Sequence, residues 1–159
     1  MKICKPNRVS RRYTQQLLAP PSVVFPLLCP VREADWIEGW NPLTVSSESG
    51  LAEVDCVFVT AASPVNAIWY ITRHDAVAAC VEMLKITPEV TACKLCIELQ
   101  ATQAGSQAII TYTHTSLGPA GDAFVEAFTE DFYKVFMENW ETRLNHYLLH
   151  GVALAAGAD

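Results

Sequence analysis

The chain has 159 residues, of which 51% are hydrophobic and only 18% are charged. This composition suits a compact folded domain and excludes an intrinsically disordered chain. The formal net charge of -6, from 17 acidic residues against 11 lysines and arginines, argues against nucleic acid as a partner, because phosphate binding needs clustered cations. We predict one domain over residues 1–159, with its core at about residues 8–151.

The basic residues gather at the start of the chain, at Lys2, Lys5, Arg8, Arg11 and Arg12. We interpret them as cations on the solvent face of an edge strand, with a basic arm as the alternative. No apolar segment typical of a signal peptide follows them, and no uninterrupted apolar run approaches the length of a membrane span. We therefore expect a cytoplasmic protein without a membrane span.

The first predicted element is a strand over residues 8–18, in which Val9, Arg11, Tyr13 and Gln15 share one face. The run Ala-Pro-Pro-Ser breaks this strand. Two short helices with apolar faces follow it, and an Asn-Pro pair ends the second one.

Five further strands are predicted in the middle of the chain. They are Val54 to Ala61, Ala67 to His74, Ala78 to Ile86, Thr91 to Thr102 and Gln107 to Ser116. Short turns separate them, which favours an antiparallel meander because parallel strands need long crossovers. By alternation, Trp69, Ile71 and Arg73 share one face of their strand. The threonine-rich face of the last strand is expected to be exposed, which turns Tyr112 and His114 inward.

The clearest pattern is a helix from Asp122 to His150 that ends at Gly151. Apolar residues recur in it at every fourth position. They are Phe124, Phe128, Phe132, Phe136, Trp140, Leu144 and Leu148. A curved antiparallel sheet wrapped around this helix would cover so much aromatic surface.

Two pairs of residues have the spacing of metal ligands. Cys93 and Cys96 lie three apart in a predicted strand, so their side chains point to opposite faces and cannot reach one ion. His146 and His150 lie one turn apart on the last helix, but no third ligand accompanies them. We therefore predict no metal site, and no nucleotide or dinucleotide motif indicates a cofactor.

Four parts of the chain carry a resemblance to known proteins. They are APPSVVFPLLCP at residues 19–30, WIEGWNP at 36–42, VFVT at 57–60 with IWYI at 68–71, and TYTHT at 111–115. Together with the order of elements, they resemble the SRPBCC superfamily, the START-related and birch-pollen-allergen-like proteins, and most of all its small bacterial members without an assigned reaction. The resemblance extends from Val9 to Gly151. It implies an α+β helix-grip fold, in which a curved antiparallel sheet of about six to seven strands surrounds a long C-terminal helix.

The resemblance also implies a cavity between sheet and helix that holds a small hydrophobic or amphipathic molecule. The residues predicted to line it are Trp36, Trp40, Phe58, Thr60, Trp69, Ile71, Arg73, Tyr112, His114, Phe128, Phe132 and Phe136. His114 would act as a general base or orient a ligand carbonyl, and a core histidine bonded to a tyrosine or carboxylate is the alternative. Arg73 would hold a carboxylate or phenolate, or else pair with Glu82 or another surface acid.

Three classes of function stay open. We favour a protein that binds or carries a small hydrophobic molecule, because the last helix is densely aromatic and no nucleophile motif is present. The second is a cofactor-independent cyclase, dehydratase or hydrolase-like enzyme with Arg73, Tyr112 and His114 as candidate catalytic residues. The third is a co-chaperone-like interaction module. The acids of the second short helix, Glu33 among them, are expected on a solvated face or at the rim of the cavity mouth. The sequence leaves a homodimer open.

Overall fold

A computed structural model describes Met1 and residues 3–155, so Lys2 and residues 156–159 lie outside the description. Seven strands form one antiparallel sheet. They are β1 (Arg8–Leu17), β2 (Thr44–Ser46), β3 (Val57–Thr60), β4 (Ala67–Asp75), β5 (Cys80–Thr87), β6 (Thr91–Thr102) and β7 (Gly105–Ser116). The order across the sheet is β1-β7-β6-β5-β4-β3-β2, which makes β1 and β2 its edges.

The helices lie in two groups along the chain. They are α1 (Pro21–Val24), a 3-10 turn directly after it (Phe25–Leu27), a second 3-10 segment (Arg32–Asp35), α2 (Pro119–Ala127) and α3 (Glu130–His150). The predicted α+β helix-grip architecture is confirmed, including the short helices after the first strand. Within the described part of the chain, no helix combines the length and apolarity needed to cross a membrane.

The basic first strand lies at an edge of the sheet, as predicted. Arg8 and Arg12 are exposed on its outer face, but Arg11 is half-buried and its Nε donates a hydrogen bond to the carbonyl of Phe128 at 3.2 Å, so the predicted solvent face is wrong for Arg11. Gln15 faces the helices and is buried, and its side-chain amide donates a hydrogen bond to the carbonyl of Met137 in α3 at 2.9 Å. α3 packs mainly against β1, and α2 packs mainly against β7.

β3 is shorter than predicted, and a further short strand was not predicted at all. β3 begins at Val57 rather than Val54, because the residues before it form a turn. The sequence analysis missed β2, whose three residues Thr44–Ser46 are too few to show an alternating pattern.

The C-terminal helix is broken, so the prediction of one helix over residues 122–150 is wrong. The backbone leaves the helical conformation at Phe128, where ψ is 62°. Thr129 then caps α3, because its hydroxyl oxygen accepts a hydrogen bond from the backbone N–H of Phe132 at 3.1 Å. The predicted end at Gly151 is confirmed, with φ at 71° in the left-handed region.

The buried face of α3 also differs from the predicted stripe. An α-helix turns about 100° per residue, so each step of four residues moves roughly 40° further around the axis. A line of residues four apart therefore leaves the buried side. α3 buries Tyr133, Met137 and Leu144, of which only Leu144 belongs to the predicted stripe, whereas Phe132 is 55% exposed. The prediction that Phe132 faces the sheet is wrong.

Two tryptophans hold the short helical segments against the core. The Trp36 indole N–H donates to the carbonyl of Leu27 at 3.0 Å, and that of Trp40 donates to the carbonyl of Pro30 at 2.7 Å. Trp36 is fully buried, and its ring meets that of Trp140 in α3 edge-on at 5.3 Å between centroids. The contact of Trp36 with Trp140 packs the chain before β2 against α3.

Candidate functional site

The strand register places one row of side chains across the concave face of the sheet. Its members, in order from edge to edge, are Val9, His114, Cys93, Lys85, Trp69, Phe58 and Val45. Residues paired across neighbouring strands lie on the same face, so these side chains form a continuous line. We call this line the central row. His114, Cys93 and Trp69 are buried in it, and Lys85 is half-buried.

Aromatic rings surround the His114 end of the central row. The His114 ring centroid lies 4.7 Å from that of Phe124 and 4.6 Å from that of Phe128. Tyr112, two residues earlier on β7, stacks on His114 at 5.8 Å. Tyr112 also meets Phe136 of α3 edge-on at 6.2 Å. The helices thus build an apolar aromatic enclosure over this part of the sheet.

His114 faces inward as predicted, but its hydrogen bonding differs from expectation. Its Nε2 lies 3.6 Å from the Sγ of Cys93, and its Nδ1 has no partner among the described residues. Neither a tyrosine nor a carboxylate is bonded to it. Burial, reinforced by the charge of Lys85, lowers the pKa of His114 from 6.5 to about 4. The imidazole is therefore neutral near pH 7.

Lys85 is a functional candidate that the sequence analysis missed. It pairs with Trp69 across β4 and β5, and its Nζ lies 4.9 Å from the centroid of the Trp69 ring, a cation–π contact. Desolvation lowers the pKa of Lys85. Among the described residues, no carboxylate oxygen lies within 4.0 Å of its Nζ. The concave face, as far as the described residues go, therefore carries a cation without a carboxylate partner.

Glu33 brings a carboxyl group to the same region from the second 3-10 segment. Desolvation raises the pKa of Glu33 from 4.5 to about 8, although its side chain keeps some accessible surface. Glu33 also helps to raise the pKa of Tyr112, after desolvation and the effects of Cys93 and Tyr133. Of the two alternatives predicted for Glu33, the solvated face does not fit its half-buried side chain, and the rim of a cavity mouth stays a prediction.

Arg73 does not lie on the concave face, so its predicted grouping with Trp69 and Ile71 is wrong. The pairing of β4 shifts between Ile71 and Arg73, because a β-bulge at Thr72 reverses the alternation of side chains. Arg73 is exposed, and its Nη2 lies 3.1 Å from Oδ2 of Asp75. The alternative interpretation, that Arg73 pairs with a surface acid, is confirmed.

Most of the other predicted residues lie in the core between the sheet and the helices. Trp36, Phe58, Trp69, Ile71, Tyr112 and Phe128 are buried there, and Trp40, Thr60 and Phe136 are half-buried. Phe58 stacks on Trp69 at 5.2 Å, and the Trp69 indole N–H donates to the hydroxyl of Thr60 at 2.9 Å. The sequence analysis missed Tyr133, whose hydroxyl donates to the carbonyl of Ile110 at 2.8 Å.

Two open surface depressions lie away from the central row. One, of about 660 Å³, is lined by residues of the segment 46–55, and the other, of about 410 Å³, lies between β1 and the first turns of α3. Neither includes a residue of the central row. The concave face is the stronger candidate site because it combines apolar enclosure with a few polar groups of perturbed pKa.

No protein-family model matches the chain, and no curated protein matches it. Solved structures do match. That of Ara h 8.0201 has a TM-score of 0.62 at 13% identity, covering 90% of this chain and 99% of that one. Norcoclaurine synthase from Thalictrum flavum gives 0.66 at 11% identity, with coverage of 91% and 88%. An uncharacterized protein from Rhizobium leguminosarum gives 0.62 at 12% identity, with coverage of 92% and 98%.

These matches span nearly the whole chain at low sequence identity. The chain therefore has the helix-grip fold of the SRPBCC, or birch-pollen-allergen-like, proteins. The resemblance seen in the sequence is confirmed at the level of the fold. Because one fold supports many functions, the chemistry has to be argued from the concave face itself.

Proposed function

We propose that this protein binds a small amphipathic molecule between the concave face of the sheet and the helices. The observation that carries the proposal is Lys85, a desolvated cation in the middle of the central row that has no carboxylate counter-ion among the described residues. A buried charge without a partner is unfavourable. An oxygen atom of a ligand, anionic or carbonyl, would supply that partner, while the aromatic side chains would contact an apolar body.

Glu33 supports a ligand with a second polar group. With its pKa raised to about 8 by desolvation, the carboxyl is mostly protonated near pH 7 and would donate a hydrogen bond to a ligand oxygen. Lys85 and Glu33 belong to different elements. A ligand that met both would lie across the aromatic enclosure.

One of the matched structures supports this proposal by analogy. Norcoclaurine synthase from Thalictrum flavum is solved in complex with dopamine and hydroxybenzaldehyde, and that structure matches this chain with a TM-score of 0.65 at 13% identity. Likeness at this level supports binding on the same fold and leaves the identity of the ligand to the residues present here.

A cofactor-independent enzyme acting in the same space is the second candidate function. The pKa of Glu33 is raised and that of Lys85 is lowered, both by desolvation and both toward neutrality. This is the direction that general acid–base catalysis requires. Glu33 and Lys85 take the place of Arg73, which lies on the outer face. Tyr112 and neutral His114 remain candidates from the predicted trio. The interaction module stays a prediction.

We also propose that the chain works as one domain in a reducing, cytoplasmic setting. The support is that all six cysteines are free thiols. The sequence leaves a homodimer open. The native mass of the protein will distinguish a monomer from a homodimer.

Binding of anilinonaphthalene sulfonate, an aromatic fluorophore with one anionic group, tests the proposed function. We expect saturable binding of one probe per chain. Lys85→Met should weaken binding at least about 10-fold, because a hydrogen bond to a charged group contributes about 1.5–3 kcal/mol. Lys94→Met is the matched control, since Lys94 is exposed on the opposite face and pairs with Glu82 at 2.6 Å.

Equal affinities for wild type and Lys85→Met would count against the proposal. An equal loss in both lysine variants would also do so, because it would reflect net charge rather than the site. Native mass spectrometry of freshly purified protein complements the titration. A retained molecule of a few hundred daltons, present in wild type and lost in Lys85→Met, would identify the ligand class.

A further inference from the structure

The outer face of the sheet carries a second cluster of reactive side chains, remote from the central row. Across β5 and β6, Cys80 pairs with Glu98 and Cys96 pairs with Glu82. These positions alternate with Lys85 and with Cys93 along their strands, so they lie on the opposite face from the central row. The ligand atoms of Cys80, Cys96 and Glu98 all lie within 4.8 Å of one another. We call these three residues the outer thiol cluster.

The spacing in the outer thiol cluster is close to that of a metal site. Sγ of Cys96 lies 4.0 Å from Oε1 of Glu98. In tetrahedral zinc sites the Zn–S distance is about 2.3 Å, which puts two sulfur ligands roughly 3.8 Å apart. Cys80 is 4% exposed, so the surrounding residues hold its side chain in place. Cys96 is half-buried, and Glu98 is exposed. A side-chain rotation of Glu98 and a small shift of Cys96 would close the remaining distance.

Two cations stand beside the cluster. Arg73, turned outward by the bulge in β4, interacts electrostatically with both Cys80 and Cys96. Lys94 interacts in the same way with Cys96. Two thiolates and one carboxylate carry one more negative charge than a divalent ion neutralises. Both cations also pair with carboxylates, Arg73 with Asp75 and Lys94 with Glu82, so they would offset this excess only in part.

We propose that Cys80, Cys96 and Glu98 bind one zinc ion on the outer face of the sheet, with water as the fourth ligand. Thiolate and carboxylate are both common zinc ligands, and two sulfur donors disfavour magnesium and calcium, which bind through oxygen. Cys93 takes no part because it points to the other face. The open fourth position keeps the ion in contact with solvent.

Zinc titration in competition with a chromophoric chelator tests this site, in the presence of a phosphine reductant that keeps the thiols reduced. We expect one zinc ion per chain. Loss of a residue that only supports a metal ligand weakens metal binding by up to roughly 100-fold. Cys80→Ser and Cys96→Ser each remove a ligand itself, so each should weaken zinc binding by at least that factor. Glu98→Gln should weaken it about 10-fold. Cys4→Ser, which removes an exposed thiol elsewhere, should leave the affinity unchanged.

Cobalt provides a second readout, because a thiolate ligand gives a sulfur-to-cobalt charge-transfer band. The band should appear in wild type and in Cys4→Ser, and it should be weaker in both cysteine variants of the cluster. Glu98 is exposed, so Glu98→Gln keeps the test valid if Cys80→Ser, which alters a buried side chain, fails to fold. Failure of wild type to bind zinc would overturn the proposal, as would unchanged affinity in Cys96→Ser and Glu98→Gln.

Discussion

The desolvated carboxyl of Glu33 leads to a specific prediction about stability and pH. Burial raises its pKa from 4.5 to about 8, so between these values the folded protein holds a proton that the unfolded chain releases. The stabilisation from this proton is complete below the unfolded pKa and is lost as the pH rises toward the folded pKa. Each pH unit in this window corresponds to about 1.4 kcal/mol. Because Glu33 keeps some accessible surface, we expect a total loss of about 2–4 kcal/mol.

Replacing Glu33 by glutamine removes this titration and keeps a polar side chain of the same size. Urea unfolding from about pH 5 to pH 9 measures the effect. The free energy of unfolding of Glu33→Gln should lie within about 1 kcal/mol of wild type at pH 5 and exceed it by about 2–4 kcal/mol at pH 9. Glu126→Gln, on an exposed position of α2, is the matched control and should follow wild type at every pH. A constant difference between wild type and Glu33→Gln across this range would refute the reasoning.

Three more expectations concern the buried His114, the cap of α3 and the buried face of α3. His114, with its pKa lowered to about 4 by burial, should stay neutral in an NMR titration down to about that pH, and a midpoint near 6.5 would show that its ring is solvated. Thr129→Ala removes the cap of α3 and should cost about 1 kcal/mol in urea unfolding; an unchanged midpoint would mean that the cap is dispensable. Met137→Ala should cost about 2–5 kcal/mol and Phe132→Ala, at an exposed site, less than about 1 kcal/mol. The reverse order would contradict the assigned face of α3.

The architecture could be predicted because alternation and turn chemistry act locally. β6 begins at Thr91 and ends at Thr102 as predicted, since one face of this strand is buried and the other is wet, which makes its period plain. The inward orientation of Tyr112 and His114 follows from the same rule applied to β7.

The errors arise where one residue changes the phase of a pattern. The bulge at Thr72 moved Arg73 to the outer face, and nothing in the composition of β4 marks it. The break in the C-terminal helix did leave a signal, because Thr129 is followed directly by Glu130 and Asp131, a typical helix start. A continuous apolar pattern across residues 122–150 concealed it.

The polar groups of the candidate site depend on tertiary packing. Lys85 shares its strand face with Val81 and Met83, both buried. Alternation along β5 could therefore have predicted that Lys85 faces the core. No sequence pattern marked Glu33, because its carboxyl becomes buried only when the chain folds. The outer thiol cluster was hidden for a related reason, since the partnership of Cys80 with Cys96 is set by the register of two strands and not by spacing along the sequence.

The proposed ligand, a small amphipathic molecule, would bind on the concave face beside Lys85. The most direct test is to follow the backbone and aromatic NMR signals of the protein while anilinonaphthalene sulfonate is added. We expect the largest shifts at Lys85, Trp69 and His114, and no shifts at Tyr70 and Leu84 on the outer face. Shifts confined to Tyr70 and Leu84, with the central row unchanged, would contradict the proposed binding.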